Sequence, residues 1–409
     1  MLKKSTVALV VFTICFLAKA LPSFGDPVES FEKNFLPSYQ NASVSERVQL
    51  LASFIKERES GGGFPVRSNN GNVIFVYVGT GSEKEVLIIG DFRTRSFYNV
   101  YWDEFGEPMA RAAENSPLFY KKMTFDKDAR LDYKFVVDGT RLTDPLNPRK
   151  IVSGIAPAEA NEPIATASEL VLPGYALPEA AIERPNVPQG KLITVDEPWA
   201  SPKVSIYLPP GYDPKQSYLV IYTADGTAWL RHIRLPVLLN NLIAEKRIKP
   251  VIAVMIDSAE DRRTWYYYNS QYLEYLEKVV EYVDTNYSTV SEPAARLHAG
   301  TSAGGAITLY VGLERPNLFR KLALLSPSLM GPPHYYEPYF SGKKSPHPEL
   351  QIWLSAGKYE PYIHEDALTM ENYFKRTGLT PKISITAEGH SFGTWRRAAQ
   401  EMLLHFFHK

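Results

Sequence analysis

Cysteine is almost missing from this chain. Cys15 is the only one, and it lies in the apolar N-terminal run. Removal of that run leaves a chain without a thiol, which excludes disulfides, thiolate catalysis and cysteine metal sites. An excess of charge of either sign is missing too: Lys+Arg and Asp+Glu both number 45. Such a balance gives no electrostatic reason to bind nucleic acid or an anionic membrane surface. No His-Glu-x-x-His occurs, and no Gly-x-Gly-x-x-Gly opens a helix after a strand, so no metal and no nucleotide cofactor is expected. Internal repeats are absent. What remains fits a small-molecule or carbohydrate-linked partner, and the sequence is silent on oligomeric state.

The 409 residues exceed one typical domain, and 44% hydrophobic with 12% aromatic content is ample for packed cores. Met1-Leu2-Lys3-Lys4 is a basic start, Val7 to Ala18 is nearly all apolar, and two small-residue cleavage patterns end at Ala20 and Gly25. Residues 1–25 therefore read as a secretory signal peptide, which predicts a periplasmic or secreted protein with no stable membrane insertion after cleavage. Residues 26–63 read as a helical segment, with Val48, Leu50, Leu51, Phe54 and Ile55 at helical spacing after a Ser45 cap. Residues 64–155 change to short strands with turn signals, among them Asp138-Gly139, which predicts a β-sandwich. Residues 156–192, rich in Pro, Ala and Glu, read as a linker. From residue 193 to 409 strands alternate with helices, the pattern of a mostly parallel sheet covered on both faces.

The chemistry concentrates in that last segment. Gly300-Thr301-Ser302-Ala303-Gly304 matches G-x-S-x-G between an expected strand and an expected helix. That context makes Ser302 a candidate nucleophile on a strained turn, with glycines that let strand and helix approach. A serine nucleophile needs a base, and the order in such sheets is serine, acid, histidine. Six histidines follow Ser302; His390 alone sits just after the last expected strand, in Ala387-Glu388-Gly389-His390-Ser391. Glu360, in the loop after the strand at 351–357, is the candidate acid, with Asp366 as its alternative. An oxyanion hole needs two aimed N–H groups. Ala303 supplies one, and Gly226 or Thr227 in the loop after the strand at 218–222 supplies the other. The same loop offers Asp225 and Trp229 as substrate contacts.

These motifs carry a resemblance. "VIYTADGTAWL", "VMIDSAEDRRTWYYYN", "HAGTSAGGAITLYVGLERPNLFRKLALLSPSL", "LSAGKYEP" and "EGHSFGTWR" resemble the esterase family that includes esterase D, feruloyl esterases, mycolyltransferases and enterochelin esterases. The resemblance covers about 200 residues and implies an α/β-hydrolase fold with serine acyl-ester chemistry on Ser302, Glu360 and His390. It implies no cofactor, and it places Arg262 and Arg263 near substrate. Where siderophore esterases carry an acidic residue, this chain has Trp265-Tyr266-Tyr267-Tyr268, which suits an aryl or sugar group. "IIGDFRTRSF" and "LDYKFVVDGTRLTDPLNP" resemble early-set, immunoglobulin-like domains that precede catalytic domains; the first reading is a structural domain packing beside the active site, and the second is a sugar-binding module with Trp102 as a candidate for stacking. The expectation is an exported serine esterase acting on an acyl or feruloyl ester of a carbohydrate. Its rivals are a siderophore esterase, an acyltransferase of the same fold and a non-catalytic binding protein.

Overall fold

Six strands in the C-terminal segment are buried along nearly their whole length, as strands of a sheet covered on both faces must be. The computed structural model describes residues 25–93, 102, 106–153, 165–267, 271–329 and 337–409. Residues 1–24, with the signal-peptide pattern and Cys15, lie outside the described residues, as do Tyr268 and the side chain of Arg263.

The C-terminal sheet has eight strands: β1 (Lys191–Thr194), β2 (Val204–Leu208), β3 (Leu219–Ala224), β4 (Val251–Ile256), β5 (Arg296–Thr301), β6 (Lys321–Leu325), β7 (Gln351–Gly357) and β8 (Lys382–Thr386). Their order is β1-β2-β4-β3-β5-β6-β7-β8. Pairing from β4 through β8 is parallel, and β2 runs antiparallel to both its neighbours. The helices beside it include α1 (Leu235–Ala244), α2 (Arg262–Tyr267), α3 (Gln271–Asn286), α4 (Ala303–Glu314), α5 (Pro361–Arg376) and α6 (Phe392–Phe407).

Alternate residues of each strand feed two cores. Val220, Tyr222, Ile252 and Val254 pack with Val279 of α3, Ile307 of α4 and Phe374 of α5. Ile221, Ala253 and Met255 pack on the other face with Leu238 of α1 and Met402 of α6. This is the expected α/β-hydrolase architecture. Strand order reverses between β3 and β5, since the chain leaves β3 toward β4 on one side and returns to β5 on the other. The crevice beyond the carboxyl ends of such strands is where open α/β sheets place their sites.

The N-terminal half holds two antiparallel sheets. One runs Val66–Arg67, Asn72–Val78, Leu118–Thr124, Ala110–Arg111; the other runs Glu107–Pro108, Val86–Gly90, Arg130–Val137, Thr166–Val171, Lys150–Val152. Val73 and Phe75 of the first meet Val86, Ile88, Leu131, Phe135 and Leu170 of the second in one core. The opposite face of the first sheet, Ile74 and Val76, is covered by Val28, Phe31, Tyr39, Leu51 and Phe54 of the N-terminal helices. Asp138 and Gly139 both take positive φ, 48° and 84°, and turn the chain into Thr140–Leu142, which pairs back on Phe135–Val137.

Three expectations change here. The cap of the helix Val44–Ser60 is Ser43, not Ser45, because Ser43 and Glu46 form a reciprocal capping box. The segment expected to be a linker from residue 156 contributes Thr166–Val171 to the six-stranded sheet, between Arg130–Val137 and Lys150–Val152. Trp102 is 4% exposed and donates its Nε1–H to Asp91 Oδ1 at 3.0 Å, so its ring is not available to stack on sugar. Among the described residues, no helix is long and apolar enough to cross a membrane.

Candidate active site

β5 ends at Thr301 and α4 begins at Ala303, so the whole reversal falls on Ser302. Its backbone sits at φ 55°, ψ −121°, a conformation that costs a residue with a Cβ about 1–3 kcal/mol. The surroundings hold it there. Ser302 N donates to Leu325 O of β6 at 2.9 Å, and its carbonyl accepts from Gly305 N and Ala306 N at 2.9 and 3.1 Å. Gly300 is required by close approach: a Cβ there would lie 2.0 Å from Gly304 O. The Ser302 side chain remains partly exposed.

The loop after β8 brings His390 Nε2 to 3.0 Å from Ser302 Oγ. The loop after β7 brings Glu360 Oε1 to 2.5 Å from His390 Nδ1. A carboxylate can only accept, so Nδ1 carries the proton and Nε2 is left to accept the serine proton. Glu360 is itself fixed, since its Oε2 accepts from Gly357 N at 2.5 Å and Ser326 Oγ at 2.9 Å. Ser326 Oγ in turn accepts from Trp395 Nε1 at 3.1 Å, and the Trp395 ring meets the His390 ring edge-on at 4.9 Å. Glu360 and His390 are each 3% exposed, whereas Ser302 reaches solvent. Asp366, the alternative acid, sits half-buried on α5 with no hydrogen bond to His390; burial and then the Glu365 carboxylate push its pKa up to about 6.

Sequence reasoning missed Ser326 and Trp395. Ser326 closes an expected strand, and Trp395 lies in "EGHSFGTWR"; position relative to the triad loops was the available signal. A second buried histidine, His298 of β5, bonds Tyr272 Oη and Thr308 Oγ1 at 2.8 Å each. Burial pushes its pKa down to about 3, so it stays neutral and structural.

The loop after β3 is arranged differently from expectation. Ala303 is the first residue of α4, where an N–H has no intrahelical acceptor. Gly226 opens a short helix after Asp225, which adopts φ 64°. Thr227 does not serve as a donor here: both its N–H and its hydroxyl are taken by the Asp257 carboxylate at the end of β4. Asp225 is not open to substrate either. Its two oxygens accept Arg262 Nε and Nη2 at 2.6 Å each, and Tyr266 Oη donates at 3.2 Å. Burial opposes the Arg262 charge, but Asp225 more than offsets it, and the guanidinium pKa moves up. Arg262 remains 40% exposed beside the elbow, within 3.4 Å of Thr301 O.

Trp229 is 0% exposed and packs in the core beneath the sheet, because the helical turn after Asp225 folds it inward. Trp265, Tyr266 and Tyr267 of α2 are likewise core residues, so these three do not form an aromatic substrate wall. Among the described residues, no three His, Cys, Asp or Glu side chains gather as a metal site.

The family described as Putative esterase matches residues 198–406, slightly more than half of the 409 residues. The chain belongs to this family. The chain is 28% identical over 221 residues to the endo-1,4-beta-xylanase/feruloyl esterase of Xylanibacter ruminicola, covering 50% of this chain and 29% of that protein. It is 28% identical over 129 residues to the uncharacterized protein YjcH of Bacillus subtilis, covering 30% of this chain and 54% of that one. The matched region thus spans less than two thirds of either relative's length. In fold the chain is similar to the ferric enterobactin esterase of Salmonella typhimurium, with TM-score 0.69 and 17% identity over 86% of this chain and 98% of that chain. It is also similar to the enterobactin esterase of Shigella flexneri, with TM-score 0.66 and 18% identity over 82% and 92%. These likenesses are of fold and extend beyond the segment the family matches.

Proposed function

We propose that this esterase is an exported serine hydrolase that cleaves a carboxylic ester through an acyl-enzyme. One observation carries the reading: Ser302 Oγ, His390 Nε2 and Glu360 lie in hydrogen-bonded series, with Ser302 Oγ at 3.0 Å from Nε2 and Nδ1 at 2.5 Å from the carboxylate.

Ser302 Oγ attacks the ester carbonyl carbon as its proton passes to His390 Nε2. Glu360 holds the imidazole and stabilises the cation that forms. The carbonyl electron pair moves to oxygen, and that oxyanion takes the N–H of Ala303 and the N–H of Gly226. A lost donor of this kind costs about 3 kcal/mol of transition-state stabilisation. The intermediate collapses, the C–O bond to the alcohol breaks, and His390 returns the proton to the leaving alkoxide. Water then gives a proton to His390 as it attacks the acyl carbon, the bond from that carbon to Ser302 Oγ breaks, and His390 returns the proton to Oγ, releasing the acid and free Ser302.

The substrate we assign is an acyl or feruloyl ester on a carbohydrate. The relative named as a xylanase and feruloyl esterase supports this, at 28% identity over half of this chain against 17% for the siderophore-esterase fold. Export is supported by the N-terminal pattern of residues 1–25. Labelling by a fluorophosphonate, absent in Ser302→Ala, tests the nucleophile. Hydrolysis of feruloyl-arabinose, acetyl-xylan and a catecholate trilactone, with and without an acceptor alcohol, tests the substrate and separates hydrolase from transferase. Cleavage of the trilactone alone would overturn the carbohydrate assignment, and wild-type protein that neither labels nor hydrolyses would overturn the enzyme reading.

A further inference from the structure

We propose that Arg130, a residue of the N-terminal sandwich, is a positioning residue for the base of the esterase: it grips the loop that carries His390 and sets the Nε2–Oγ distance. The inference rests on His390 acting as the base.

β8 is the last strand of the hydrolase sheet, so the loop leaving it has no further hydrolase strand beside it. The sandwich takes that place. Arg130 N donates to Ala387 O at 3.0 Å, and Arg130 pairs with Glu388 in a parallel bridge, as though the first residue of strand Arg130–Val137 extended the sheet by one step. The Arg130 side chain reaches past the histidine, and its Nη1 donates to Ser391 Oγ at 2.7 Å. Ser391 Oγ lies 3.3 Å from Thr394 Oγ1, which donates to Gly389 O at 2.6 Å. The residues on both sides of His390 are thereby tied into one hydrogen-bonded ring.

Two further contacts from the N-terminal half close on the same loop. Gly389 lies so near Asp91 that a Cβ would stand 2.2 Å from Asp91 Cγ, and only glycine fits. Tyr175 Oη donates to the buried Glu388 Oε1 at 2.8 Å. From the hydrolase side the loop receives Lys358 N on Thr386 O at 2.8 Å and Tyr359 N on Glu388 O at 3.1 Å. Nearer His390, Gly389 O and Ser391 O are held from α6 by Thr394 Oγ1 and by Trp395 N at 3.1 Å, and Arg130 adds the grip on the Ser391 hydroxyl from the sandwich.

Arg130 is suited to this work. It is 1% exposed, with Nε on Glu169 at 2.7 Å and Nη2 on Asp132 at 2.5 Å, both carried by sandwich strands. Two carboxylates fix the planar guanidinium and leave Nη1 for Ser391, a geometry that the single ammonium of lysine cannot reproduce. The burial of Trp102 and the grip of Arg130 give the sandwich a role in catalysis that needs no sugar site.

The experiment uses the full chain and p-nitrophenyl acetate, comparing wild type, Arg130→Lys, Ser391→Ala and Lys122→Met. Lys122 pairs with Glu32 on the far sheet of the sandwich and serves as the control. A displacement of about 1 Å at a reacting centre costs on the order of 100-fold in rate. We expect kcat to fall about tenfold or more in Arg130→Lys and Ser391→Ala, with KM within about twofold and the fluorophosphonate labelling rate falling in parallel. Lys122→Met keeps wild-type values. A role limited to packing would lower the melting temperature and leave kcat per folded molecule unchanged. Should Arg130→Lys fail to fold, Ser391→Ala, which removes one hydroxyl, decides the matter. Wild-type kcat and labelling rate in a folded Ser391→Ala overturn the proposal while the esterase reading stands. A wild type that neither hydrolyses nor labels overturns both.

Discussion

Glu360→Gln is the substitution on which the site geometry speaks most sharply. Gln has the shape of Glu but offers one acceptor and one donor where Glu offers two acceptors. The buried carboxylate receives three hydrogens: His390 Nδ1–H on Oε1, and Gly357 N–H with the Ser326 hydroxyl on Oε2. If the Gln oxygen faces His390, its NH2 opposes the Gly357 N–H, and a buried donor is left unsatisfied at about 1–3 kcal/mol. If the NH2 faces His390 instead, Nδ1 must become an acceptor and Nε2 carries the proton. That tautomer cannot take the proton of Ser302. In the serine-protease template the equivalent tautomer error costs about 10⁴ in kcat. We expect a fall of about 10³ to 10⁴ here, or about 4–5.5 kcal/mol of activation free energy. The assay is steady-state hydrolysis of p-nitrophenyl acetate alongside a denaturant melt, which separates the loss of rate from the modest loss of stability. A Glu360→Gln enzyme within about threefold of wild-type kcat would show that the carboxylate does not set the tautomer, and the series Ser302–His390–Glu360 would have to be abandoned as the catalytic unit.

Two further outcomes follow from the same geometry. Ser302→Gly removes both the nucleophile and the cost of a side chain at φ 55°; hydrolysis should vanish while stability rises by about 1 kcal/mol, seen as a melting temperature a few degrees higher, and a lower one would refute the strain. Asp366→Asn tests the acid that the geometry sets aside. Because the folded pKa of Asp366 is raised from 3.8 to about 6, the folded state retains a proton the unfolded state has lost between those values, and stability falls as pH rises through that window. The variant should therefore be more stable than wild type at pH 7 by about 1 kcal/mol after discounting for solvent screening, match it below pH 4, and keep kcat within about twofold. Urea melts at the two pH values check the first part, and a kcat loss beyond tenfold would return Asp366 to contention.

Much of the hydrolase half was legible because its signals are local. A strand buried on both faces must be a short apolar run, and Val251–Ile256, Lys321–Leu325 and Gln351–Gly357 are such runs. Ser302, Glu360 and His390 each stand where a strand has just ended, so the fold's chain order was enough to pick them out. Helix α3 fell on Gln271–Asn286 as its periodicity required.

What was not legible has a common physical cause: a polar or aromatic residue does not announce its partner. Thr227 sits where an oxyanion donor belongs, yet Asp257, thirty residues on, takes its N–H. Trp229 follows a strand end as a pocket wall would, yet the turn after Asp225 buries it. The strand Thr166–Val171 reads as linker because it carries Ser168 and Glu169; both are polar because Ser168 Oγ accepts Asp144 N and Glu169 accepts Arg130 Nε. The second of these bonds helps seat Arg130, which also reaches Ser391, 261 residues away. Polar content that argued against a strand is thus the content that ties the sandwich to the His390 loop. A buried cation with two sandwich carboxylates and one loop hydroxyl cannot be exchanged piecemeal, since removing any partner leaves a charge or donor unpaired at several times the worth of an exposed contact. The two halves of the chain are therefore coupled at the loop that carries His390.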